Sequence, residues 1–117
     1  MKRKHHELRV WQDGIAMVKL VYGITARFPK EELFGLISQM RRCAVSIPTN
    51  VGEGAARSTS KEFAHFLTIA RGSLSELETP IIISRELGYM LDGTELDDAV
   101  QRQFGALGSL IKVERGS

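Results

Sequence analysis

The chain has 117 residues, 43% of them hydrophobic and 26% charged, with 16 Lys and Arg against 14 Asp and Glu for a net charge of +2. That is the composition of one ordinary globular domain, large enough to bury a core without a metal or disulfide staple, and the single Cys43 excludes an intramolecular disulfide. No run of about 18 apolar residues is present to span a bilayer, and the basic start at Lys2, Arg3 and Lys4 leads into His5, His6 and Glu7 instead of an apolar signal core, so the expected compartment is the cytoplasm.

Apolar spacing predicts helices throughout. Leu8, Trp11, Ile15, Val18 and Tyr22 recur every three or four positions, which places them on one face of a helix over 7–26. Phe28 and Pro29 interrupt it. Pro29 followed by Glu31 and Glu32 then starts a second helix over 30–54, since proline wastes no donor in a first turn and carboxylates favour the positive helix end. Its stripe is Leu33, Ile37, Met40, Ala44, Ile47 and Val51, and Pro48 inside the run predicts a kink near Ser46 to Pro48. Gly52 and Gly54 read as a glycine stop, and Thr59 with Glu62 has the capping-box spacing that opens a third helix over 60–90. Phe63, Phe66, Ala70, Leu74, Leu77 and Ile81 face its core, and Pro80 predicts a bend or frayed turn near Glu76 to Pro80. Asp92, Gly93 and Thr94 form the next turn, and Thr94 with Asp97 starts a fourth helix over 95–113 carrying Leu96, Val100, Leu107, Leu110 and Ile111. Four helices with short connections make an all-α, up-and-down antiparallel four-helix bundle, a single domain over 1–117.

The sequence nominates no catalytic group, cofactor or metal site. His5 and His6 are neighbours and diverge on a helix, no His-Glu-x-x-His pair exists, and His65 between Phe63 and Phe66 has no nucleophile beside it. Cys43 follows Arg41 and Arg42, which would lower a thiol pKa, yet it adjoins Ala44 in a helical run and reads as a packing residue. No Gly-x-Ser-x-Gly elbow and no phosphate-binding loop is present. The run Gly52 to Arg57 superficially matches a dinucleotide fingerprint, but no strand precedes it and Arg57 takes the last glycine's place.

Charge is unevenly spread. Residues 1–57 carry 10 Lys and Arg against 5 Asp and Glu, a balance of +5, and residues 58–117 carry 6 against 9, a balance of −3. The basic candidates are Lys2, Arg3, Lys4, Arg9, Arg41, Arg42, Arg57, Lys61 and Arg71, groups able to neutralise phosphates and release their counterions. Ser46, Asn50, Glu53 and Arg57 recur at steps of four, three and four, and so share a helical face if the helix passes Pro48. They are expected to form a structural polar network in which Asn50 and Glu53 bridge to Arg57 or Ser58.

Several stretches carry a resemblance. Phe28-Pro29-Lys30-Glu31-Glu32-Leu33-Phe34-Gly35-Leu36 is followed by Gln39-Met40-Arg41-Arg42-Cys43-Ala44-Val45-Ser46-Ile47-Pro48-Thr49-Asn50-Val51-Gly52-Glu53-Gly54, and the pattern continues through Lys61-Glu62-Phe63, Glu76-Leu77-Glu78-Thr79 and Leu87-Gly88-Tyr89. Together they resemble the four-helix-bundle family named for proteins encoded in 23S ribosomal RNA intervening sequences, over about Trp11 to Tyr89. The resemblance implies a closed bundle, and relatives that assemble as homopentamers around a central channel. A related branch, the accessory variability proteins of diversity-generating retroelements, binds a reverse transcriptase and nucleic acid through basic surfaces. Val10, Val21, Phe104 and Ile111 are expected to be exposed apolar residues available for ring contacts. The resulting expectation is a non-enzymatic homo-oligomer, pentameric by resemblance, whose nucleic-acid-binding residues are Arg41, Arg42, Arg57 and Lys61, with RNA or DNA as partner. The alternative is a protein-protein interaction module that does not touch nucleic acid.

Overall fold

The computed structural model describes residues 4–91 and 95–116, so Lys2, Arg3 and the expected Asp92-Gly93-Thr94 turn lie outside the described residues. The chain is all-α: α1 (Arg9–Thr25), α2 (Ser38–Ala55), α3 (Ser60–Glu86) and α4 (Glu95–Glu114), with no strand among the described residues. α1 packs on α2, α2 on α3, α3 on α4 and α4 back on α1, the neighbour order of an up-and-down bundle. The 27 residues of α3 make about 40 Å of helix at 1.5 Å per residue, close to the 43 Å long axis of the molecule. Pro80 lies inside α3 and Pro48 inside α2, so neither proline ends its helix.

Both ends of α3 follow local chemistry. Thr59 is the N-cap of α3: its Oγ1 accepts from Glu62 N at 3.1 Å and donates to Glu62 Oε1 at 3.1 Å. The far end of α3 stops at Glu86, short of the expected residue 90, because Gly88 adopts φ +80° and lets Tyr89 N donate back to Ser84 O at 2.8 Å. Arg85 then ties the connection together, pairing with Asp97 of α4 and donating from Nε to Leu91 O at 3.4 Å.

The second expected helix is not regular from residue 30. A tight turn (Lys30–Glu32) and a wide one (Leu33–Ile37) precede α2, and the backbone leaves helical geometry at Gly35 (φ −110°, ψ −112°). Glu32 is the organising side chain: Oε1 accepts from Leu36 N at 3.2 Å, and Oε2 accepts from Tyr89 OH at 3.4 Å. A Cβ on Gly35 would lie 2.7 Å from that Oε1, so glycine is what lets the carboxylate reach back.

The core is built mainly from the expected stripes on α2, α3 and α4, with Met40, Ala44, Ile47, Val51, Ala70, Leu74, Leu77, Leu96 and Leu107 all fully or almost fully enclosed. On α1 the buried face is Val10, Gly14, Met17, Val21 and Thr25, one step round from the expected Leu8, Trp11, Ile15, Val18 and Tyr22. The physical reason is Gly14: an added Cβ would stand 3.2 Å from Gln103 Nε2 and 3.3 Å from Pro48 Cβ, so this small residue is where α1, α2 and α4 meet. Gln103, 1% exposed, donates from Nε2 to Val10 O at 3.3 Å, and its Oε1 has no hydrogen-bond partner.

This packing corrects which apolar residues are exposed on the first and fourth helices. Val10, Val21 and Ile111 are core residues, and Phe104 is half-buried beneath the Arg71 guanidinium, 5.2 Å from its ring centroid. Other large apolar residues face solvent, Ile15 and Tyr22 on α1 and Val113 on α4 among them, led by Phe34 at 93% and Leu91 at 80% exposure.

Candidate nucleic-acid interface

The four expected nucleic-acid-binding residues fall into two groups at opposite ends of α2. About 20 Å of helix separates Arg42 from Ala55, and Arg57 and Lys61 lie beyond that end. Arg41 is turned inward against α1. Its Nε donates to Thr25 Oγ1 at 2.9 Å, its Nη2 to Tyr22 O at 3.3 Å, and its guanidinium sits 4.4 Å from the Tyr22 ring centroid. A cation there satisfies the Tyr22 carbonyl oxygen and the Thr25 hydroxyl at the negative end of α1, a packing role that occupies donors a phosphate would need. Arg42, the next residue, is exposed.

Cys43 is buried, and burial is the main cause that raises its thiol pKa; Glu76 adds to the rise and Arg42 opposes it. The neighbouring arginines therefore do not make a reactive thiolate.

The expected polar network is divided. Asn50 Nδ2 donates to Ser46 O at 2.8 Å and to Ser46 Oγ at 3.0 Å, and Ser46 Oγ shares a 2.8 Å hydrogen bond with Ser73 Oγ of α3. With Thr49 Oγ1 donating to Val45 O at 2.7 Å, side-chain donors cluster on the carbonyls beside Pro48, whose missing N–H thins the helix ladder. Glu53 belongs to a different pair: Arg57 Nη2 stands 3.7 Å from Glu53 Oε1, and the Arg57 guanidinium lies 4.8 Å from the Phe66 ring centroid. Ser58 contacts Glu62 in place of Glu53. The network bridges α2 to α3 through Ser73, a residue the spacing argument did not include.

The concentration of cations is found between α3 and α4. A groove of about 700 Å³ there is lined by Arg71, Lys112 and Arg115 together with Gly72, Gly105 and Gly108. It runs into a second hollow of about 560 Å³ that shares Thr68 and Arg115 and adds Lys61, His65 and Glu114. Lys61, the one expected residue on this face, thus stands in line with three further cations. Arg115 Nη2 donates to Thr68 Oγ1 at 3.5 Å and Arg71 Nε to Phe104 O at 3.5 Å, which fixes both guanidinium groups along the groove walls. Nothing lies within 4 Å of a Cβ built on Gly72 or Gly105, so an incoming backbone would approach both helices closely.

This groove had a legible signal. Thr68, Arg71, Gly72 and Ser75 stand at i, i+3, i+4 and i+7 on α3, and Gly105, Gly108, Ser109 and Lys112 repeat that spacing on α4. Averaging the second half to −3 concealed it, because the acids other than Glu114 lie elsewhere, with Glu95, Asp97 and Asp98 in the first turn of α4.

Among the described residues no three His, Cys, Asp or Glu side chains are grouped to hold a metal ion, and no helix is long and apolar enough to cross a membrane. No curated protein matches the chain. The model of the family described as 23S rRNA-intervening sequence protein matches residues 6–105, and the chain belongs to that family.

Proposed function

We propose that this member of the 23S rRNA-intervening sequence protein family is a non-enzymatic cytoplasmic scaffold that associates with copies of itself, as a pentamer by family resemblance, and binds RNA or DNA along the α3–α4 groove. The observation that carries the reading is the convergence of Arg71, Lys112, Arg115 and Lys61 on one glycine-floored groove. Phosphates would be neutralised by the cations and admitted close to the backbone by Gly72 and Gly105, a mode of binding that reads charge and shape and not base identity. Repetition of the groove in an assembly multiplies a weak single-site affinity. Arg42 and Arg57 are placed to add contacts outside the groove, and Arg41 is assigned to packing.

Fluorescence anisotropy of a labelled structured RNA and a labelled DNA duplex, each titrated at two salt concentrations, tests this reading. Binding that weakens steeply with salt is expected, and each of Lys112→Gln and Arg115→Gln should lower the salt slope by about one. Absence of binding to both probes at low salt would overturn nucleic-acid recognition and leave the protein-interaction reading in its place.

A further inference from the structure

We infer that Phe34 is a knob by which one copy of this chain docks into an apolar hollow beside Gly23 of a second copy. The inference rests on the self-association part of the proposed function and assigns the contact that makes it.

Phe34 is 93% exposed, yet it does not sit on a loose loop. The turn that carries it is closed by Glu32 accepting from Leu36 N at 3.2 Å and is tied to the end of α3 by Tyr89 OH donating to Glu32 at 3.4 Å. A large ring held outward on an anchored turn loses little freedom on docking, which favours its use as a contact. Leu33, 50% exposed, widens the apolar surface beside it.

The receiving site is on the same end of the bundle but in a different place. Leu20, Gly23 and Ile24 of α1 and Met90 and Leu91 after α3 enclose a hollow of about 480 Å³. No atom lies within 4 Å of a Cβ built on Gly23, so its floor is open, and Leu91 stands 80% exposed at its edge. Phe34 does not fill this hollow in its own chain.

Charge selects the second copy as occupant. Lys19 and Arg27 rim the hollow, while Glu31 is exposed on the turn that presents Phe34. Lys30 lines the neighbouring depression that contains Arg41. Seating Phe34 in the hollow brings the Glu31 carboxylate to two cations, a pairing that fixes the direction of docking. Knob and hole are different surfaces, so the contact is heterologous and repeats from copy to copy, closing a ring where the rotation permits.

Disulfide trapping in a Cys43→Ala background tests it directly. Chains carrying Phe34→Cys and chains carrying Gly23→Cys should each stay uncross-linked alone and form covalent dimers when mixed under oxidising conditions. Cross-linking of Phe34→Cys chains alone would show a two-fold knob-to-knob contact and overturn the inference. In sedimentation, Glu31→Lys should weaken association at least tenfold and the added Lys19→Glu and Arg27→Glu should restore it. A monomeric wild type at every concentration refutes self-association and this contact together. An assembled wild type whose mass is unchanged by Phe34→Ser, with the helical content intact, refutes the contact alone.

Discussion

Replacing Gly54 with alanine should destabilise the protein, although alanine is the better helix former. A Cβ at position 54 would stand 2.6 Å from Phe66 Cβ, 3.0 Å from Phe63 Cδ1 and 3.3 Å from Phe63 O. Carbon atoms in contact prefer about 3.5–4.0 Å, so the deficit against Phe66 is about 1 Å. The obstructing atom is a Cβ, which no rotamer change can move away. The end of α2 must therefore retreat from the start of α3, at an overpacking cost of about 1–3 kcal/mol. Helix propensity returns at most about 1 kcal/mol, and less at the penultimate residue of α2. The expected net loss is about 1–2 kcal/mol. Gly72→Ala and Gly105→Ala serve as controls, since an added Cβ meets nothing within 4 Å at either site, and each should gain about 0.5–1 kcal/mol. Urea unfolding at matched protein concentration reads all three, with an unchanged m-value required for the comparison. Gly54→Ala at or above wild-type stability, with the controls behaving as expected, would refute the close α2–α3 approach.

Gln103→Met removes a buried amide whose Oε1 is unpartnered while keeping side-chain volume, so thermal unfolding should show a gain of about 1 kcal/mol; a loss of that size would show that the oxygen is satisfied. Cys43 gives a pH test. Its folded pKa is raised above 9.0, so the stability held by the neutral thiol is fully present below pH 9.0 and is lost as pH rises toward the folded value. Wild type should therefore lose more Tm than Cys43→Ala on crossing that range, and native Cys43 should alkylate more slowly than the urea-unfolded chain. Glu53→Gln should shift stability by less than about 0.5 kcal/mol, since Glu53 and Arg57 are an exposed pair.

The helix stripes were legible because burial by a four-helix bundle leaves a three-and-four period in any sequence that supplies it, as Met40, Ala44, Ile47 and Val51 do. What escaped was decided by residues that hydrophobicity does not rank. Gly14 and Gln103 turned α1 about its axis where it meets α4, since a missing side chain and a buried amide govern helix approach without being apolar. Glu32 broke the expected second helix by capping Leu36 N within the chain, a choice visible only once Gly35 is seen to clear its path. The placement of the cations follows the same logic. Adjacent Arg41 and Arg42 looked like a basic patch, but successive residues on a helix point about 100° apart, and one of them is spent on Tyr22 and Thr25. Arg71 and Arg115, 44 positions apart in sequence, become groove partners because α3 and α4 are antiparallel neighbours. Net charge by chain segment therefore misplaces where cations gather in a bundle of this kind, and charge sorted by helical face on adjacent helices locates them.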